Sequence, residues 1–287
     1  MDVGIGLPNT IPDTEGPVLV DWARRAEEAG FSTLGTIGRL VYPNYDDLIA
    51  LAAAAAVTTR IRLTSAILIA PLHLNAALLA KQAASIDRLS GGRLVLGVAA
   101  GGRDDDYTAS GMTTKGRGRR LDEQLQEMKR VWSGEKRGYA GAVGPVPARP
   151  GGPEIIVGGM AEAAFTRAAR FGDGWIMGGG TPEMFAQGAQ AAQQAWQAEG
   201  RTGKPRTLSL AYFALGGQAR EQADGYIKDY YGWLGEVADQ IAAGVATSAE
   251  MVRGYVSAFE QAGCDELIMI PTSSDPQQLR LLAEAIR

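Results

Sequence analysis

The sequence predicts an α/β fold, a (β/α)8 TIM barrel formed as one domain over residues 1–287, with insertions after the fourth and seventh strands. Three observations carry this. Short apolar runs alternate with longer amphipathic segments along the whole chain, which is the pattern of repeated βα units. The run Arg93 to Val98 is too apolar to have a wet face, so both faces of that strand are covered, as in a parallel sheet between helices. A chain of 287 residues, 46% hydrophobic, can bury one large core. A single barrel of about 250 residues uses nearly all of it and leaves no room for a second nucleotide-binding domain.

Eight apolar runs are the expected strands: Val3 to Leu7, Thr33 to Ile37, Ile61 to Ile69, Arg93 to Ala99, Glu154 to Val157, Gly174 to Met177, Thr207 to Leu215 and Asp265 to Ile270. A helix pattern follows each. Leu121, Leu125, Met128 and Trp132 recur at helical spacing and form one stripe facing a sheet. Gly91 stands one residue past the helix before the fourth strand, where a left-handed backbone is usually needed. Thr181-Pro182-Glu183 and Asp275-Pro276 each set a capping side chain before a proline, which marks two helix starts. Loops after strands lie on the catalytic rim of such a barrel, so the long spacers Arg103 to Thr114 and Gly216 to Thr247 are candidate substrate walls. The second contains a helical piece, Glu221 to Tyr231. Gly134 to Pro153 follows a helix and reads as a structural excursion. The alanine-rich run Leu48 to Val57 suits either a subunit contact or a close helix-to-barrel contact.

Composition excludes several classes. A net charge of −4 gives no basic footprint, so nucleic acid is not an expected partner. One cysteine, Cys264, suits a reducing cytosol. No stretch approaches the roughly 20 apolar residues of a membrane span, and residues 1–20 lack a basic start followed by an apolar run. The expectation is a cytoplasmic protein without membrane partners.

Anion recognition is the clearest chemical signal. Val157-Gly158-Gly159 precedes the helix Met160 to Phe171, and Met177-Gly178-Gly179-Gly180-Thr181 precedes the helix starting at Pro182. Each sets amides free of side chains beside the positive end of a helix dipole. Gly101-Gly102 ends the fourth strand, either as bare amides on the rim or as a tight turn. Arg103, Arg117, Arg119 and Arg120 lie in or beside the next loop, and at most two can face one phosphate, with Arg103 and Arg120 the favoured pair. Asp104-Asp105-Asp106 reads as a solvated acidic loop, since hard-metal sites draw ligands from separated positions, and no metal is expected. His73, the only histidine, follows the third strand and reads either as a proton donor at the mouth or as a plain loop residue. No lysine ends a strand, which argues against a Schiff-base barrel, and no G-x-S-x-G elbow is present. Tyr42, Tyr45, Tyr107 and Trp175 could stack on a planar cofactor or pack.

In this order the features resemble the luciferase-like flavin-dependent oxidoreductases, the group that includes bacterial luciferase, alkanesulfonate monooxygenases and deazaflavin-dependent dehydrogenases. The resemblance is densest at Gly4-Ile5-Gly6-Leu7-Pro8 and in Lys81 to Gly102. It is dense again in the helix Arg117 to Gly134, with its Arg119-Arg120-Leu121 start and Trp132-Ser133-Gly134 end, and from Ile156-Val157-Gly158-Gly159 to Phe171-Gly172-Asp173-Gly174-Trp175. It implies a barrel, commonly dimeric, that binds reduced FMN or a deazaflavin at the strand ends, with amides and arginines on the phosphate. It also implies a bulge with a non-prolyl cis peptide under the flavin ring. The matching position is Ala66-Ile67, and both residues are cofactor candidates on that ground alone.

Two positions depart from the group. Ile37-Gly38-Arg39-Leu40 lacks the acid or histidine that many members carry after the second strand, and Gly102-Arg103 stands where a Trp-Asn pair is common. That leaves His73, Tyr42 or a bound substrate to handle the proton. The resulting expectation is a monooxygenase that uses oxygen and reduced FMN, the latter supplied by a separate flavin reductase, on a small organic substrate. Deazaflavin-dependent hydride transfer is the first alternative and a non-catalytic flavin-binding barrel the second.

Overall fold

The computed structural model describes residues 1–287. Its strands are β1 (Asp2–Gly6), β2 (Thr33–Thr36), β3 (Arg62–Ile69), β4 (Leu94–Ala99), β5 (Glu154–Gly158), β6 (Gly174–Met177), β7 (Arg206–Phe213) and β8 (Glu266–Pro271). They pair in sequence order, all parallel, and β8 closes on β1 to complete the barrel. Each expected strand is present, displaced at its ends by no more than two residues.

The helices alternate with the strands: α1 (Gly16–Ala29), α2 (Asp47–Ala55), α3 (Ala76–Ser90), α4 (Asp104–Ala109), α5 (Arg117–Trp132), α6 (Glu162–Phe171), α7 (Pro182–Ala198), α8 (Ala219–Tyr231), α9 (Glu236–Ala243), α10 (Ala249–Gln261) and α11 (Gln277–Ala285). Local chemistry sets their ends. Gly91 terminates α3 at φ +70°, and its N–H bonds back to Arg88. Thr181 Oγ1 accepts from Met184 N–H at the start of α7, and Asp275 accepts from Gln277 N–H at the start of α11. The stripe Leu121, Leu125, Met128 and Trp132 is buried on the inner face of α5. No helix is long and apolar enough to cross a membrane.

Strand alternation divides the core into two. Trp175 and Leu96 point outward into the layer under the helices, whereas Val95, Ile156, Ile176, Leu208 and Ile268 fill the barrel interior. The interior cluster continues beyond the strand ends into α8, through Tyr226, Ile227 and Tyr230. Helix α4 follows β4, and α8 and α9 follow β7, so both long spacers that the sequence assigns to the rim carry helices there. The 134–153 stretch is held at Ala148 and Arg149, whose N–H groups donate to Asp87 of α3.

Candidate active site

The strand ends frame a two-lobed depression. Its floor is set where β3 leaves regular register between Ser65 and Leu68, and the Ala66-Ile67 peptide bond there is cis. The bulge lies tight on β4, since a Cβ on Gly97 would come within 2.0 Å of Ser65 O. Only glycine fits that approach. The Ile67 side chain then reaches across to β5, where a Cβ on Gly158 would meet its Cδ1 at 2.4 Å. Ile67, Ala99, Gly101 and Gly178 line both lobes and form the saddle between them.

One lobe is a backbone cradle. Gly158, Gly159, Met160 and Ala161 form one side, and Thr114, Gly116, Arg117 and Gly118 the other. The first-turn N–H groups of Glu162 and Ala163 in α6 find no acceptor within the chain, so they and the helix dipole are free for an anion. Arg117 bonds only to Thr114 O and pairs with no carboxylate, whereas Arg167 is committed to Asp122 at 2.5 Å. The sequence offered two glycine-rich junctions after neighbouring strands, with Arg103 and Arg120 the favoured arginines. Gly178 joins the Gly158 cradle, but Gly179, Gly180 and Thr181 lie exposed outside it, and Thr181 serves as the α7 cap. Arg120 lines neither lobe, and its Nη1 is buried without a partner.

The other lobe is a chamber of about 310 Å³, mostly apolar, bounded by Ile37, Ala66, Leu210, Tyr230, Tyr231 and Trp233, with Gly102 and Arg103 at its edge. Arg103 crosses the mouth from the β4 loop. Its guanidinium lies 5.0 Å from the centre of the Tyr230 ring, 5.8 Å from Tyr231 and 5.6 Å from Trp233. Arg103 therefore lines the chamber and not the backbone cradle. Burial raises the phenols of Tyr212, Tyr226, Tyr230 and Tyr231 above their ordinary value, so all four stay neutral.

Beside the chamber a smaller recess of about 200 Å³ holds His73, Arg39, Asn44, Asp46 and Asp47, and it shares Gly38 and Ile69 with the chamber. His73 is thus one recess away from the saddle, and burial lowers its pKa, partly opposed by Asp46, which leaves a neutral imidazole. Tyr42 lines neither space. Its hydroxyl donates to Asp229 and its ring meets Tyr230 edge-on at 5.0 Å.

Asp47 was not singled out from sequence. Asp46 caps α2 through Leu48 and Ile49 N–H, which frees the next carboxylate to turn inward. A Cβ on Gly38 would sit 2.3 Å from Asp47 Oδ1, so the carboxylate fills the space a side chain at position 38 would take. Burial, and then the Asp46 charge, push its pKa up to about 7, against a hydrogen bond from Asn9. A second aspartate after a capping one was the available signal.

The other aromatics have structural roles. Trp175 is fully buried between Phe165 and Phe185 and donates to Gly159 O at 2.8 Å, which steadies the cradle from behind. Tyr107 donates to Ala100 O, and Tyr45 to Thr14 O. In the aspartate triplet, Asp105 pairs with Arg39 and Asp106 accepts from Val41 N–H. No three His, Cys, Asp or Glu side chains converge as metal ligands would.

Comparison with known proteins agrees with this fold. The family model described as luciferase-like monooxygenase matches residues 1–280. The uncharacterized protein Rv0940c of Mycobacterium tuberculosis is 30% identical over 244 residues, 74% of this chain and 83% of that one. Pyrimidine monooxygenase RutA of Escherichia coli is 30% identical over 174 residues, 55% of this chain and 47% of RutA. Among solved structures, monooxygenase RslO1 from Streptomyces bottropensis superposes with a TM-score of 0.78 at 22% identity, covering 100% of this chain and 98% of that one. An F420-dependent secondary alcohol dehydrogenase superposes at 0.82 with 16% identity, covering 100% and 99%. At such identities the two structures speak to fold alone. The chain belongs to the luciferase-like monooxygenase family and is a flavin-dependent oxidoreductase on a (β/α)8 barrel.

Proposed function

We propose that this protein is a monooxygenase that binds reduced FMN across the saddle and acts with oxygen on a small organic substrate, the reduced flavin coming from a separate reductase. The observation that carries the reading is the pairing of an amide cradle with an apolar chamber through one saddle. A dianionic tail suits the unpaired α6 amides and Arg117, and a flat ring system suits the chamber between Ile67 and Leu210. Bound reduced flavin would supply the electrons that activate oxygen. The chain supplies binding, orientation and exclusion of water, which the apolar walls and the roof of α8 favour. For the proton, the Asp47 carboxyl is the group in the mouth that changes charge near neutral pH, while His73 stays neutral and Tyr42 is held by Asp229.

Fluorescence titration with FMN, anaerobically reduced FMN and a deazaflavin tests this. Tightest binding of reduced FMN is the expected result. Preference for the deazaflavin replaces oxygenation with hydride transfer, and binding of none ends the flavin reading. Arg117→Ala should weaken FMN binding by about tenfold or more, the worth of one charged hydrogen bond. That variant is a better probe than a change at Gly158, where any side chain collides with Ile67. We also propose a homodimer through the outer faces of α2 and α3 and the turn before α3, where Ile49, Leu78 and Leu74 are exposed.

A further inference from the structure

We propose that Arg103 anchors a substrate subsite for planar organic anions, of the aromatic carboxylate type, at the α8 side of the chamber; this rests on the reading of the mouth as a flavin site.

The charged groups beside Arg103 make their close hydrogen bonds elsewhere. Arg39 is paired with Asp105 at 2.7 Å, and Asp106, the one carboxylate lining the chamber, accepts from Val41 N–H at 2.7 Å. Arg103 has no carboxylate partner. Its Nη1 reaches only Gly38 O, at 3.5 Å, and its Nε is buried with no partner at all. A guanidinium keeps its charge in any protein environment, so the chamber holds a fixed positive charge that Asp106 offsets only through space, with no carboxylate hydrogen-bonded to it. The three aromatic rings around it offset part of that cost, but they are neutral, and beyond the Tyr230 hydroxyl they leave most of its hydrogen-bonding capacity unfilled.

The cofactor's phosphate is not the missing anion, since the cradle has its own amides and Arg117, and Arg103 does not line it. The ligand that completes Arg103 therefore lies in the chamber. A carboxylate matches the guanidinium fork with two parallel hydrogen bonds. A flat body next to it would lie against Tyr231 and Trp233, on the α8 side of the chamber and clear of the wall between Ile67 and Leu210. Trp233, 52% exposed at the outer edge of the chamber, is a large apolar ring that such a body would cover. Because Arg103 springs from the loop after β4 and the rings from the helix after β7, the subsite spans the mouth over the position expected for the flavin ring.

Calorimetry with benzoate and its neutral isostere benzamide tests the proposal, on protein saturated with whichever flavin it binds in the titration above. Benzoate should bind at least about tenfold more tightly than benzamide. Arg103→Gln should abolish that preference while changing flavin affinity by less than about twofold, and Arg103→Lys should restore part of it. Should Arg103→Gln fail to fold, Trp233→Ala should weaken binding of both probes with flavin affinity unchanged. Equal binding of the two probes, binding of neither, or a loss in Arg103→Gln confined to flavin affinity would overturn the proposal. If no flavin binds, the same titrations on the flavin-free protein still decide it, because the benzoate preference and its dependence on Arg103 are read independently of the cofactor.

Discussion

At the scale of single residues, the mouth depends on side chains whose role is set by what a neighbour lacks. Gly38 has no side chain, and the Asp47 carboxylate occupies that space, 93% buried by the complementary 7% exposure. Its surroundings are Asn9 from the β1 loop, Asp46 on its own helix, Arg39 and His73 around the recess, and Tyr230 from α8. With a folded pKa of about 7 against an ordinary 3.8, the folded protein holds this proton where the unfolded chain has lost it. The stability it contributes is complete below about pH 4 and is lost as pH rises towards 7, at about 1.4 kcal/mol for each pH unit traversed. Asp47→Asn should flatten that part of the profile of melting temperature against pH. An unchanged slope between pH 4 and 7 in the variant would assign the titration to another group.

At the scale of elements, the barrel is joined by side chains that close the ends of neighbouring helices and strands. Glu27, near the C-terminus of α1, accepts the N–H groups of Thr59, Arg60 and Ile61, and so holds the turn that leads from α2 into β3. Partial burial would raise its pKa, but the three backbone donors outweigh it and hold the carboxyl down at about 2. The sign is the reverse of that for Asp47. This contribution is present above about pH 4.5 and is lost as the pH falls towards 2. Glu27→Ala should cost about 1 kcal/mol in urea unfolding at pH 7 and clearly less at pH 2, where the carboxyl is half protonated. Equal costs at both would refer the effect to packing. The same turn starts β3, the strand that carries the Ala66-Ile67 floor, so an outer contact fixes the register of the site.

Across the whole molecule the two ends of the barrel have opposite work. The N-terminal end is closed by charge. Fully buried Glu266 takes Arg206, Arg62 and Ser32, while Arg206 also meets Glu154 at 2.8 Å and Arg62 meets Asp2 at 2.6 Å. Removing the shared carboxylate in Glu266→Ala should cost about 3 kcal/mol of stability. Flavin affinity should be retained, because the cradle lies at the other end. A loss of affinity at temperatures where the variant stays folded would contradict this separation. Ile49→Asp in α2 should turn the proposed dimer into a monomer in analytical ultracentrifugation. A wild-type monomer would remove that interface from consideration.

How much of this was legible follows from the range of each interaction. The barrel, its eight strands and the stripe of α5 were written in periodicities within single elements, and the caps at Gly91 and Thr181 in the few residues around them. The Gly158-Gly159 cradle was equally local, being one strand end and the helix behind it. That Gly179, Gly180 and Thr181 turn outward to start α7, away from the Gly158 cradle, is a choice the glycines alone do not encode.

What the sequence by itself determined is the closed ring of strands and which rim bears glycine amides, since hydrophobic alternation and turn chemistry act over a few residues. Only the tertiary structure decided that Asp47 fills the space at Gly38 and that Arg103 lies among Tyr230, Tyr231 and Trp233. Those placements depend on how α2 and α8 pack over the mouth, and burial and charge are properties of everything that meets at a point, not of the chain that leads to it.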